Sequence, residues 1–462
     1  MSAKTWLVAS AACLCLHSWA VAGAPPDAAE SLIKEIAQRS EAMRNLEQLC
    51  DGIGPRLTGS PQLRTAQSWA MQKLISYGAV NVHEEAYELG KPWLRGAARA
   101  RLLNGGLQDI PIVQKAWTAG TTGPVRAEVA LLDVKNLAEL KAAASGLAGK
   151  IVLVMSLPRP DQAHGRYSAG LRAEIDAVVR AARFAAVLLP SNKEEGSVID
   201  MWGGPASRFD RHAGIISGDS ARLLKRLLAK GVAPRMEMSL SGGFGTTPVR
   251  AYNVVAEIVG TEAPDELVII GAHQDAWDLG PGATDNGTGT VVAIEVLRAI
   301  AVQGLKPKRT LRVVLFSGEE QGLLGSKAYL ARHREELSRI QAVFVQDAGG
   351  GRILGFPDMK VDAWNAALRL ALAPARGLGE LDVPYGVSRG SDHDVFFEQG
   401  IPAFSPMQET LDYRSHTQHS ALDTIDHVAA ADLLQGAQVM AVAAWGMLNG
   451  ERLPHQSPAA GK

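Results

Sequence analysis

Three runs of apolar residues constrain this chain more than any other feature. Residues 267–272 (LVIIGA), 311–316 (LRVVLF) and 342–345 (AVFV) lack the in–out alternation of a half-solvated strand. Strands of this kind are buried on both sides, as in a mostly parallel sheet covered by helices. Helical stretches lie between them, at 286–301 behind a glycine-rich turn and at 322–332. The alternation predicts an α/β fold, with a mixed, mostly parallel sheet and helices on both faces. In such sheets ligands gather beyond the carboxyl ends of the strands.

Each run leads into residues that can hold a metal or move a proton. The first delivers His273 and Asp275, the second Glu319 and Glu320, and the third Asp347. The loop after the first run adds Asp285, and His419 comes far downstream in the segment 419–424 (HSALDT). A single His or Asp at a strand end is ordinarily a cap or a hydrogen-bond partner. Two histidines and three carboxylates at one end of a sheet are different, because they repel one another and resist desolvation unless a cation holds them. Imidazole and carboxylate without thiolate suit zinc. Five ligands are too many for one tetrahedral ion that keeps a water, and suit two zinc ions per chain sharing one carboxylate. Glu319 is then left as a general base beside a water. Asp275 points the same way as His273 and is placed to accept from its imidazole and fix the tautomer.

The local motifs are Gly271-Ala272-His273-Gln274-Asp275, Gly282-Ala283-Thr284-Asp285-Asn286-Gly287, Phe316-Ser317-Gly318-Glu319-Glu320-Gln321-Gly322, the Asp347 strand end, and His419-Ser420-Ala421-Leu422-Asp423-Thr424. Together they resemble the co-catalytic di-zinc exopeptidases, the family that includes bacterial leucyl aminopeptidases and carboxypeptidase Q. Trp277-Asp278-Leu279-Gly280 and residues 304–312 extend the likeness toward carboxypeptidase Q. The likeness covers most of the chain and is strongest over 252–347. It implies the zinc exopeptidase fold, with Asp285 bridging two zinc ions. His273 and Asp347 would hold one ion, Glu320 and His419 the other, and Glu319 would be the base. It further implies a cis peptide at Asp285–Asn286 and a homodimer.

The resemblance also sets out alternatives. His416 competes with His419 as a ligand, although the spacing to Asp423 and Thr424 favours His419. Relatives often carry Tyr or His where this chain has Gln418, which leaves Tyr413 as a candidate donor to the oxyanion. Ser391-Asp392-His393 would lie beside the substrate, the alternative being that Ser391 caps a helix running toward Phe397. The implied activity is hydrolysis of dipeptides or short peptides. Its rivals are a single-zinc transferase resembling glutaminyl cyclases and a metal-free binding protein on the same fold.

The N-terminus reads as an export signal: Lys4, an apolar run over 6–16 and Ala20-Val21-Ala22 before a cleavage point. The run is too short to span a bilayer. The expectation is a secreted or periplasmic protein with no stable membrane insertion after cleavage. Cutting there removes Cys13 and Cys15 and leaves Cys50 alone, so no intrachain disulfide can form. A net charge of -1 over 462 residues offers no basic surface, which argues against a nucleic-acid partner. The middle of the chain alternates short strands with alanine-rich helices and lacks an acid, base or thiol cluster. The expected divisions are a signal peptide (1–22), an N-terminal part of the peptidase domain (23–115), a protease-associated-like α/β insert (116–246), the main catalytic domain (247–453) and a flexible tail (454–462).

Overall fold

The three apolar runs become neighbouring strands of one six-stranded sheet. The computed structural model describes residues 28–104, 108–158, 169–193, 195–205 and 212–457. The expected signal peptide and the last residues of the tail lie outside the described residues. Across the sheet the strands run Val80–Gly90, Val249–Ile258, Arg309–Phe316, Ala263–His273, Ile340–Val345 and Ala403–Phe404. The last four pair in parallel, and the first two are antiparallel additions at one edge.

Alternate residues of the central strands feed two separate cores, as the two-residue period of a strand requires. Val268, Ile270, Val313 and Phe344 face a core built with helices Thr288–Val302 and Ala430–Asn449. Leu267, Ile269, Val314 and Val343 face the other side, against Tyr329 and Phe396. Helix Thr288–Val302 is buried at every position from Thr288 to Ile300, which explains its nearly all-round apolar sequence. The one charge inside the runs, Arg312, is buried with partners. It donates to Glu257 at 2.7 Å, to Glu336 at 2.6 Å and to the Tyr329 hydroxyl at 2.8 Å.

A second sheet forms a module of its own. Its seven strands run Ala98–Leu102, Arg235–Leu240, Val125–Asp133, Ile151–Ser156, Ala186–Pro190, Ala213–Ile216 and Ile112–Gln114. It therefore reaches further toward the N-terminus than the boundary expected at 116. The two early strands are short, and the first reads ARARL, so neither announces itself as an apolar run. The module touches the main domain at several places, among them Trp117, whose ring packs edge-on to Trp277 with centroids 6.4 Å apart. Asp200 forms a β-bridge with Ser420, and Met201 N–H donates to the His419 carbonyl at 2.7 Å. Among the described residues, no helix is long and apolar enough to cross a membrane.

Candidate metal centre

Parallel pairing sets the ends of the central strands side by side, and this is what assembles the site. His273 pairs with Phe316, the last residue of its neighbour, and Gly271 pairs with Val345, so the segments that follow leave the sheet together. His273 is fully buried. Its Nδ1 lies 2.9 Å from the backbone carbonyl of Asp275. A carbonyl can only accept, so Nδ1 carries the proton and Nε2 presents its lone pair outward. Here the expectation for Asp275 is corrected. Its carboxylate is 3.7 Å from Nδ1, and the backbone oxygen, closer by nearly an ångström, fixes the ring. The Asp275 carboxylate instead accepts from the Thr58 hydroxyl at 2.8 Å and from Glu319 N–H at 3.4 Å. It ties the Glu319 loop to the His273 loop.

Two clusters of ligand atoms meet at Asp285. His273 Nε2 is 3.3 Å from Asp285 Oδ1 and 3.3 Å from Asp347 Oδ1. His419 Nε2 is 3.3 Å from Asp285 Oδ2 and 3.0 Å from Glu320 Oε2. The groups His273–Asp285–Asp347 and Asp285–Glu320–His419 each bring their atoms within 4.8 Å of one another. Asp285 thus offers one oxygen to each group. His416 is outside both; its Nδ1 lies 2.9 Å from the Ser415 hydroxyl. The peptide bond after Asp285 is cis.

This donor set fits zinc. Zinc held tetrahedrally at about 2.0–2.1 Å from nitrogen and oxygen ligands separates those atoms by about 3.3 Å, the spacing seen here. Asp285 Oδ2 and Glu320 Oε1 are buried and receive no hydrogen bond. Acceptors left in that condition are costly unless a cation serves them.

The titration of the site follows from its charges. Burial opposes a proton on His273, yet Asp347, Asp285 and Glu319 together push its pKa well above the ordinary range. Burial raises Glu319 well above the usual carboxylate range; His273 opposes this, and Asp347, Glu320 and Asp392 add to it. Burial also lifts Glu320 to about 7, although His419 works against it. Burial raises the Tyr413 phenol, and Asp285, Asp347 and Glu320 raise it further, so it stays protonated and can donate. Tyr413 lines the cleft above the cluster, as do Ser391 and Gln418. Ser391 makes no side-chain cap, so the cap alternative fails; its backbone carbonyl, not its hydroxyl, accepts from Asp394 N–H. His393 is buried away from the cleft, its Nε2 3.2 Å from the Ser388 carbonyl.

Sequence reasoning assigned no role to several residues that support the site. Arg56 is completely buried and donates to four carbonyls: Gln274 at 2.9 Å, Gly54 at 3.2 Å, Pro281 at 2.5 Å and Gly282 at 2.9 Å. It clamps the loops that carry His273 and Asp285. Asp423 accepts from Thr284 N–H at 2.6 Å, from the Thr284 hydroxyl at 2.8 Å and from Asp285 N–H at 3.1 Å. The Trp277 ring packs edge-on to His419, with centroids 6.0 Å apart. A buried arginine inside a glycine-rich loop, GIGPRLTGS, was the available signal for the first of these.

Comparison with known proteins bears on the same residues. The model of peptidase family M28 matches residues 253–444. Carboxypeptidase Q of Mus musculus is 29% identical over 414 residues, covering 88% of this chain and 85% of its own. Carboxypeptidase Q of Homo sapiens is 29% identical over 430 residues, covering 91% and 88%. The crystal structure of a peptidase M28 precursor from Shewanella amazonensis superposes with a TM-score of 0.79 at 28% identity, covering 93% of this chain and 98% of that one. The segment similar to peptidase family M28 holds both ligand clusters and Glu319, and the likeness to whole relatives runs through both sheets.

Proposed function

We propose that this chain is a zinc-dependent exopeptidase that hydrolyses dipeptides or short peptides. The chain is a metallo-exopeptidase; the finer reading is two zinc ions per chain, ligated by His273, Asp285, Asp347, Glu320 and His419. One observation carries it: the two oxygens of Asp285 face two different ligand groups. A one-ion transferase would leave one of those groups without a charge partner. The carboxypeptidase Q relatives support the exopeptidase assignment.

Zinc at such a centre supplies Lewis acidity, lowering the pKa of water and polarising a carbonyl. The chain's own residues do the rest. Glu319 lines the cleft beside both groups, where a carboxylate can reach the proton of a water held there. It takes the proton of the attacking water and returns it to the nitrogen of the leaving amine. The Tyr413 phenol, kept protonated, donates to the oxygen that gains charge. Asp275 positions Glu319 through its backbone N–H. Export to a secreted or periplasmic location is supported by the character of the N-terminal segment.

The test counts zinc by elemental analysis and measures hydrolysis of a dipeptide panel with and without chelator. The expected result is two zinc per chain, activity lost on stripping and restored by zinc. Full activity in the stripped protein refutes the reading.

A further inference from the structure

The cleft above the metal centre has an uneven charge distribution. It encloses about 740 Å³, within the range of small-ligand sites. The carboxylates lining it are Asp285, Glu319, Glu320 and Asp347, all members of the cluster on its floor. Its walls carry two arginines, Arg389 and Arg414. A free substrate amine would therefore find no anionic side chain on the described walls, whereas a free carboxylate would find guanidinium groups.

The two arginines differ in what already occupies them. Arg389 lies over the Phe397 ring at 4.4 Å and 3.5 Å from Asp394 Oδ1. The Arg414 guanidinium has no hydrogen bond or ion pair within the described residues, and its side chain is exposed to the cleft. Its backbone is fixed, however. Arg414 lies in the single helical turn Tyr413–Thr417, and its carbonyl accepts from Lys193 Nζ of the second module at 2.9 Å. Lys193 brings another positive charge to the same rim. The neighbour before Arg414 is Tyr413, packed on Gly349 beside the cluster. One residue beyond a scissile bond advances the chain by about 3.8 Å, so the group that reads a dipeptide's terminal carboxylate must stand next to the metal centre. Arg414 lines the same cleft as the cluster and directly follows Tyr413, and a guanidinium matches a carboxylate with two parallel hydrogen bonds.

We infer that Arg414 binds the C-terminal α-carboxylate of the substrate, which makes dipeptides and short peptides with a free carboxyl end the preferred class. The inference rests on the exopeptidase reading above. The test follows alanine release from Ala-Leu, Ala-Leu-amide and Ala-Glu-amide by the zinc-loaded full chain. Wild type should favour Ala-Leu over both amides in kcat/KM. Arg414→Ala should shrink that preference by about 10- to 100-fold, chiefly through KM for the free acid, the effect of losing a hydrogen bond to a charged group. Arg414→Lys should restore part of it.

Equal cleavage of Ala-Leu and Ala-Leu-amide by wild type overturns the inference and leaves the exopeptidase reading standing. So does an Arg414→Ala variant that slows acid and amide alike. Ala-Glu-amide matching Ala-Leu would assign Arg414 to a side-chain carboxylate and also overturn the inference. Failure to hydrolyse any of the three overturns the exopeptidase reading, and this inference with it.

Discussion

Replacing Arg56 with alanine should damage the metal centre without touching a ligand. Three of its hydrogen bonds cross to other loops: to Gln274, next to His273, and to Pro281 and Gly282, just before Asp285. A hydrogen bond involving a charged group contributes about 1.5–3 kcal/mol. Taking the lower figure for each of the three, since they share one side chain, the loss is about 4–5 kcal/mol, a large share of a typical folding stability. Unfolding entropy of about 2.1 cal/mol/K per residue gives about 1 kcal/mol/K over 462 residues. The melting temperature should then fall by about 4–5 °C. Arg56→Lys keeps the charge but lacks the planar fork, and should recover about half of the loss. Calorimetry and zinc analysis on the same samples make the measurement. An alanine variant that melts like wild type and keeps its zinc refutes the reasoning outright. One that melts early with full zinc shows that Arg56 holds the fold but does not position the ligand loops.

Glu319→Gln should retain zinc while kcat falls by at least about 10²–10⁴, the usual range for general acid–base catalysis; substantial residual turnover would rule Glu319 out as the base. His419→Ala should lower zinc content and His416→Ala should not, as read by elemental analysis; the opposite result would exchange their roles. The third concerns acid stability. Burial raises Glu336, but hydrogen bonding and charge from Arg312 outweigh it and hold its pKa below the ordinary value. A carboxyl depressed in the folded state stabilises above its unfolded pKa, about 4.3, and loses that contribution as pH falls through the folded value. Urea midpoints should therefore drop more steeply on acidification in wild type than in Glu336→Gln, and identical slopes would contradict the assignment.

Much of the catalytic half was legible because its physics is local. Central parallel strands must be apolar on both faces, so 267–272, 311–316 and 342–345 stood out, and residues just beyond them were bound to share one end of the sheet. That His273, Glu319, Glu320 and Asp347 would gather at that end followed from the strand placement alone. Asp285 and His419 needed motif spacing as well, since they come from loops. What escaped depends on contacts between distant positions. Arg56 acts on carbonyls more than 200 residues away, at Gln274, Pro281 and Gly282. A backbone oxygen took the role assigned to the Asp275 carboxylate, because side-chain direction along a strand says nothing of the carbonyl two residues on. The short edge strands of the second module went unseen because three to five residues carry too little periodicity to register.

The hydrogen bond from Met201 to His419 also bears on how this protein can be changed. It joins the second module to a candidate ligand by main chain alone, so the module is no detachable accessory. Excising it would free the loop that sets the His419 imidazole, even with every ligand left in place. A transplanted module would have to bring an amide hydrogen to the same point. Any residue except proline supplies one, so this hydrogen bond by itself asks little of the side chain at 201. The requirement is strict in space and nearly silent in sequence, and chimaeras assembled from alignments alone would miss it.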